Sequence, residues 1–70
     1  MNLMSSELQN EYVIKAVDVS DEELRSFLFS LGVYAGEPIT VISRKKSGCI
    51  VFVKNGRYSI DRDLASSIAV

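Results

Sequence analysis

The chain has 70 residues, with eight basic and nine acidic side chains for a net charge of −1, one cysteine and no histidine. A lone Cys49 excludes an intramolecular disulfide framework, the missing imidazole removes the commonest general base and metal ligand, and near-neutrality gives no global attraction to nucleic acid or an anionic membrane. A chain this short buries only about 60 to 65% of the surface its unfolded form exposes, so modest stability is expected of one small domain spanning residues 1–70.

The opening "MNLMSSELQN" has neither a basic n-region nor an apolar core, and no apolar run approaches the roughly 20 residues of a membrane helix. A soluble, unprocessed chain in the reducing cytoplasm is expected. "YVIKAV", residues 12–17, reads as one strand from its β-favouring residues and two-residue alternation. In "VSDEELRSFLFSLG" that follows, Ser20 and Glu23 have capping-box spacing, and Asp21, Glu22 and Glu23 crowd negative charge at the positive end of a helix dipole. Leu24, Phe27, Leu28 and Leu31 fall at i, i+3, i+4 and i+7, a stripe expected to pack on a sheet, and Gly32 stands where a left-handed stop is expected.

Three β-rich runs come next, "PITVISR", "CIVFVK" and "RYSI", separated by the turn signals "KKSG" and "NG". A two-residue type I′ turn at Asn55-Gly56 sets Val53 opposite Tyr58 and Val51 opposite Ile60, making Val51, Val53, Tyr58 and Ile60 the inward face. Ile50 and Phe52 then share the outer, partly covered face with Lys54, Arg57 and Ser59. "DRDLASS" is expected to form one helical turn, and "IAV" to close the sheet against the first strand. The whole predicts a mainly β fold, a small, partly closed barrel with one α-helix inserted after the first strand.

Catalytic tools are few. Cys49 begins an apolar strand with no base beside it and reads as a core residue. Asp21, Glu22 and Glu23 point in different directions on a helix, and Asp61 and Asp63 suit capping of the last helical turn, so no metal site and no cofactor are expected. Arg44, Lys45 and Lys46 form the only dense basic patch; with Tyr34, Phe52 and Tyr58 they offer an alternative, a small nucleic-acid-binding barrel. The segment between two glycines, Gly32-Val33-Tyr34-Ala35-Gly36, has two readings, a connector or an exposed tip; in the second, Leu31, Gly32, Val33, Tyr34 and Gly36 form a partner-binding site.

"SLGVYAGEPITVISR" resembles the FeoA family pattern of a helix ending in Leu-Gly, a few residues, then Gly and an alternating strand. "NGRYSIDRDLASSIAV" resembles its closing pattern of Gly, a short strand, Arg-x-x-x-Ala or a close variant, and a final Ile-x-Val. The resemblance runs from about Leu8 to Val70 and implies an SH3-like barrel, a non-enzymatic role in ferrous iron uptake, and FeoB, an inner-membrane iron transporter with a cytoplasmic GTPase domain, as partner. The same domain type serves as an accessory module in iron-dependent repressors of the DtxR class, which makes metal sensing a further alternative. Two departures are visible: Tyr34-Ala35 replaces the basic residue and Pro frequent before the second Gly, and "KKSG" is shorter than the usual Ala-Pro-x-Gly-x-Pro loop.

Overall fold

Residues 12–17 do not form one strand. In the computed structural model, which describes residues 1–70, the run divides into β1 (Glu11–Val13) and β2 (Ala16–Val17), which belong to different sheets. The division follows from where successive amides find acceptors. Ile14 N–H donates to Glu37 O (2.9 Å), whereas Lys15 N–H turns away to Ala69 O (2.8 Å), so the chain bends at a buried Ile14 and carries the backbone around a corner. The remaining elements are α1 (Glu22–Leu31), β3 (Pro38–Lys45), β4 (Gly48–Val53), β5 (Gly56–Asp61), α2 (Arg62–Ser66) and β6 (Ile68–Ala69). A four-stranded antiparallel sheet has the order β1-β3-β4-β5, and β2 pairs with β6 in a second, two-stranded sheet. The expected closure of "IAV" on the first strand is therefore made by the β2 half of that run.

The β4–β5 hairpin turns on Lys54-Asn55, with φ of 50° and 65°, rather than on Asn55-Gly56. Val53 consequently faces Gly56, Val51 faces Tyr58 and Cys49 faces Ile60. A type I′ turn needs two positive-φ residues, and Lys54 accepts that strain because its stem covers Gly32 and its ammonium pairs with Glu37. The offset from the expected register is two residues, an even number, so every side chain keeps its face. Val51, Val53 and Ile60 are buried inward with a half-buried Tyr58, and Ile50 and Phe52 lie partly exposed outside. In β3 a bulge at Ile42 shifts the pairing between Val41 and Ser43.

Helix α1 is capped by Asp21, not Ser20: its Oδ1 accepts from Glu23 N–H (2.9 Å) and Leu24 N–H (3.2 Å). A carboxylate one residue later is the stronger acceptor at the positive end of the helix, and Glu23 is then too early for a capping box. The expected stripe is not a buried stripe. Only Leu28 is buried, Leu31 is half-buried, and Leu24 and Phe27 are exposed. The barrel is too small to cover a ten-residue helix, and α1 touches it along one line through Leu28.

The first ten residues, which carry no periodic signal, are part of the core structure. Leu3 is fully buried, Asn2 bridges Ala69, and Gln9 joins the β3 bulge through Val41 O (2.8 Å) and Ile42 O (2.9 Å). Arg44 Nη1 donates to the carbonyls of Ser6 (2.6 Å) and Leu3 (3.2 Å), clamping this segment to the sheet.

Candidate interaction surface

The C-terminus of α1 decides what the two-glycine segment presents. Gly32 adopts φ 94°, donating to Phe29 O (3.0 Å), while Val33 N–H reaches back to Leu28 O (2.9 Å). This hydrogen-bond pair is the Schellman motif, whose second residue beyond the helix folds back onto the apolar residue five positions earlier. Val33 therefore packs in the core with Leu28 and is 1% exposed. The expectation of Val33 at an exposed tip is overturned, and Gly32 is buried with it beneath the Lys54 stem. Gly36, also at φ 94°, is exposed and opens the turn that leads into β3.

Tyr34 is half-buried because its ring stacks on Phe29, with centroids 4.6 Å apart and planes inclined by 28°. Phe29 is itself 63% exposed, and with Phe27 at 55% it flanks the buried Leu28 from the opposite side. Phe29 was not among the expected site residues, since it falls off the i, i+3, i+4, i+7 stripe. A signal was present: a large apolar residue about 100° away from Leu28 on the helix has no core to enter. Phe29, Tyr34, Arg25 and Val17 line a shallow depression of about 320 Å³. Arg25 fixes the helix over it by donating to Val17 O (3.2 Å) and Val19 O (3.1 Å).

The polar neighbourhood is set by Lys54 and Glu37. The hydrogen bond that Lys54 donates to Glu37, reinforced by the carboxylate's charge, raises the Lys54 pKa above the ordinary lysine value, and this pair ties the β4–β5 turn to the loop after α1. The other sequence candidates lie elsewhere. Arg44 is committed to the amino-terminal carbonyls, which removes the anchor of the basic platform and leaves Lys45 and Lys46 as solvated charges at the β3–β4 turn. Asp61 caps α2, accepting from Leu64 N–H (2.8 Å), and Asp63 occupies the first turn of that helix. No three His, Cys, Asp or Glu side chains converge as metal ligands. Cys49 is buried, and burial pushes its thiol pKa up, against a smaller opposing effect of Arg44. No helix is long and apolar enough to cross a membrane.

Two small sheets closed around one core, with a helix inserted between β2 and β3, define an SH3-like β domain. The FeoA domain model matches residues 1–70, and the chain belongs to the FeoA family. Solved structures agree in fold. An iron uptake regulatory protein (FeoA) superposes with a TM-score of 0.82 at 22% identity, covering 97% of this chain and 91% of its own. Chlorobium tepidum FeoA gives 0.86 at 18% identity, covering 99% and 67%. Stenotrophomonas maltophilia FeoA, solved with zinc and described as a prokaryotic SH3 domain protein and a candidate ferrous iron transport activating factor, gives 0.84 at 20% identity, covering 100% and 88%. No curated protein shows significant sequence similarity to the chain.

Proposed function

We propose that this protein is a cytoplasmic accessory factor of ferrous iron uptake that binds, without catalysis, to the cytoplasmic GTPase side of a FeoB-type membrane transporter. Family membership supplies the process. The surface is supplied by α1, which buries Leu28 alone and leaves Leu24, Phe27 and Phe29 exposed around it. Large apolar groups concentrated on one ten-residue helix, with Tyr34 stacked beside them, are the composition of an interface centre, where aromatic anchors dominate the binding energy. Leu31, Tyr34 and Gly36 remain from the expected site, joined by Phe29; Val33 and Gly32 support it from beneath.

The test is capture of the detergent-solubilised transporter, and separately of its soluble GTPase domain, by the parent chain and by Phe29→Ala and Tyr34→Ala. An interface anchor is worth about 2 kcal/mol, so each substitution is expected to weaken binding by about thirtyfold while the fold melts as before. Undiminished binding by both variants would remove α1 as the contact surface.

A further inference from the structure

We propose that a second copy of this chain pairs with the free edge of β5, joining the two four-stranded sheets into one continuous antiparallel sheet about a twofold axis at Ser59. This interaction uses a different surface from α1 and does not depend on the transporter reading.

The edge is open by construction. The pair that flanks a two-residue hairpin turn, here Val53 and Gly56, exchanges both of its backbone hydrogen bonds, and the pattern alternates along the ladder. Val51 with Tyr58 and Cys49 with Ile60 are thus bonded pairs, whereas Arg57, Ser59 and Asp61 aim their backbone groups away from β4. β5 is the last strand of its sheet, and no loop or cap reaches the N–H or C=O of Arg57 or Ser59. Proteins blunt such edges with Pro, Lys, a bulge or a very short strand. β1, at the other edge, has three residues; β5 has six, with continuous register and neither Pro nor Lys.

The occupant follows from the order of charges. Arg57, Ser59 and Asp61 are exposed and share the outer face. When β5 meets a copy of itself antiparallel with Ser59 opposite Ser59, Arg57 of each copy stands opposite Asp61 of the other. Ser59 with Ser59 is then a hydrogen-bonded pair, and the Asp61 N–H of each copy faces the Arg57 carbonyl of the other, which is the parity the outward-pointing groups require; the Asp61 carbonyl itself is held by the first turn of α2. The edge is therefore self-complementary in charge and in hydrogen bonding at a single register, as an isologous twofold interface demands. Asp61 caps α2 through Oδ1, leaving its second oxygen for the partner arginine. On the inner face each half-buried Tyr58 comes opposite Ile60 of the other copy at the closer-approaching positions. A net charge of −1 puts little repulsion between copies.

Sedimentation equilibrium over a concentration series tests this, with amide exchange of Ser59 followed by NMR. The mass is expected to rise from monomer to dimer, with the Ser59 amide gaining protection in step. Ser59→Lys places two ammonium groups face to face at the axis, and Arg57→Glu sets each new carboxylate against Asp61. Both side chains are exposed in the monomer, so each variant is expected to keep the parental unfolding midpoint at low concentration and to dimerise at least tenfold more weakly. A parent chain that remains monomeric to about 1 mM overturns the proposal. So does a dimer that both variants leave intact, that leaves the Ser59 amide unprotected, or that Phe29→Ala abolishes instead.

Discussion

Gly48 and Cys49 sit side by side in β4 under opposite constraints, one of the backbone and one of the solvent. Gly48 has φ 153°, and a Cβ there would lie 2.1 Å from Ile60 O, a backbone atom of the paired strand that cannot move without opening the hairpin. Gly48→Ala is therefore expected to cost more than the roughly 1 kcal/mol of an ordinary glycine replacement, read as a lower urea midpoint at unchanged slope. Gly36 is the control: nothing lies within 4 Å of its would-be Cβ, so Gly36→Ala carries only the cost of its positive φ. For Cys49, burial raises the folded-state pKa above the unfolded thiol value of about 8.5. The folded state then holds the proton to higher pH than the unfolded state, so stability is full below that value and declines as pH rises through it. Urea titrations between about pH 7 and pH 10 are expected to show a steeper alkaline loss for the parent than for Cys49→Ala, whatever the offset between their curves at neutral pH. Parallel curves would show that the thiol does not titrate differently on folding.

Helix α1 is held by one buried side chain, one Schellman turn and one arginine. Leu28 is 1% exposed and packs with Val33, so Leu28→Ala is expected to cost about 2 to 5 kcal/mol. Phe27→Ala, at a position open to water, is expected to stay within about 1 kcal/mol, and chemical denaturation of the two variants separates them. This contrast turns an apparent stripe into a division of labour: the helix buries Leu28 fully and Leu31 in part, and presents Leu24, Phe27 and Phe29 to water. The same division explains why Val33 and Tyr34, adjacent in sequence, differ so sharply. Val33 is drawn inward by its hydrogen bond to Leu28 O, and Tyr34 is left to stack on Phe29.

Across the whole molecule, closure depends on both chain ends. Val70 N–H donates to Met1 O (2.9 Å), Asn2 bridges Ala69, and β2 pairs with β6, so the second sheet joins residues far apart in the chain. Leu3 is fully buried against this closure, and Arg44 reaches across from β3 to hold its carbonyl. Leu3→Ala is therefore expected to cost about 2 to 5 kcal/mol, a large share of what a domain of this size has in total. Calorimetry should show the loss as one lowered transition; two separate transitions would mean that the amino-terminal segment folds independently of the barrel.

The helix, the hairpins, the α2 turn and the inward face of β4 and β5 were legible in the sequence, because each is written in local periodicity and turn chemistry. A register offset of two residues left those faces intact, since the side-chain period is two. The α1 surface is only half legible in the sequence: periodicity does not point to the exposed Phe29 on which Tyr34 stacks, and Val33, expected at an exposed tip, lies in the core. Tertiary structure alone decided where "YVIKAV" breaks, that Leu3 enters the core, and that Arg44 is spent on carbonyls 38 and 41 positions away. Those outcomes depend on acceptors and cavities supplied by distant segments. Local pattern states which face of an element is apolar; only the assembled barrel determines how much of that face there is room to bury.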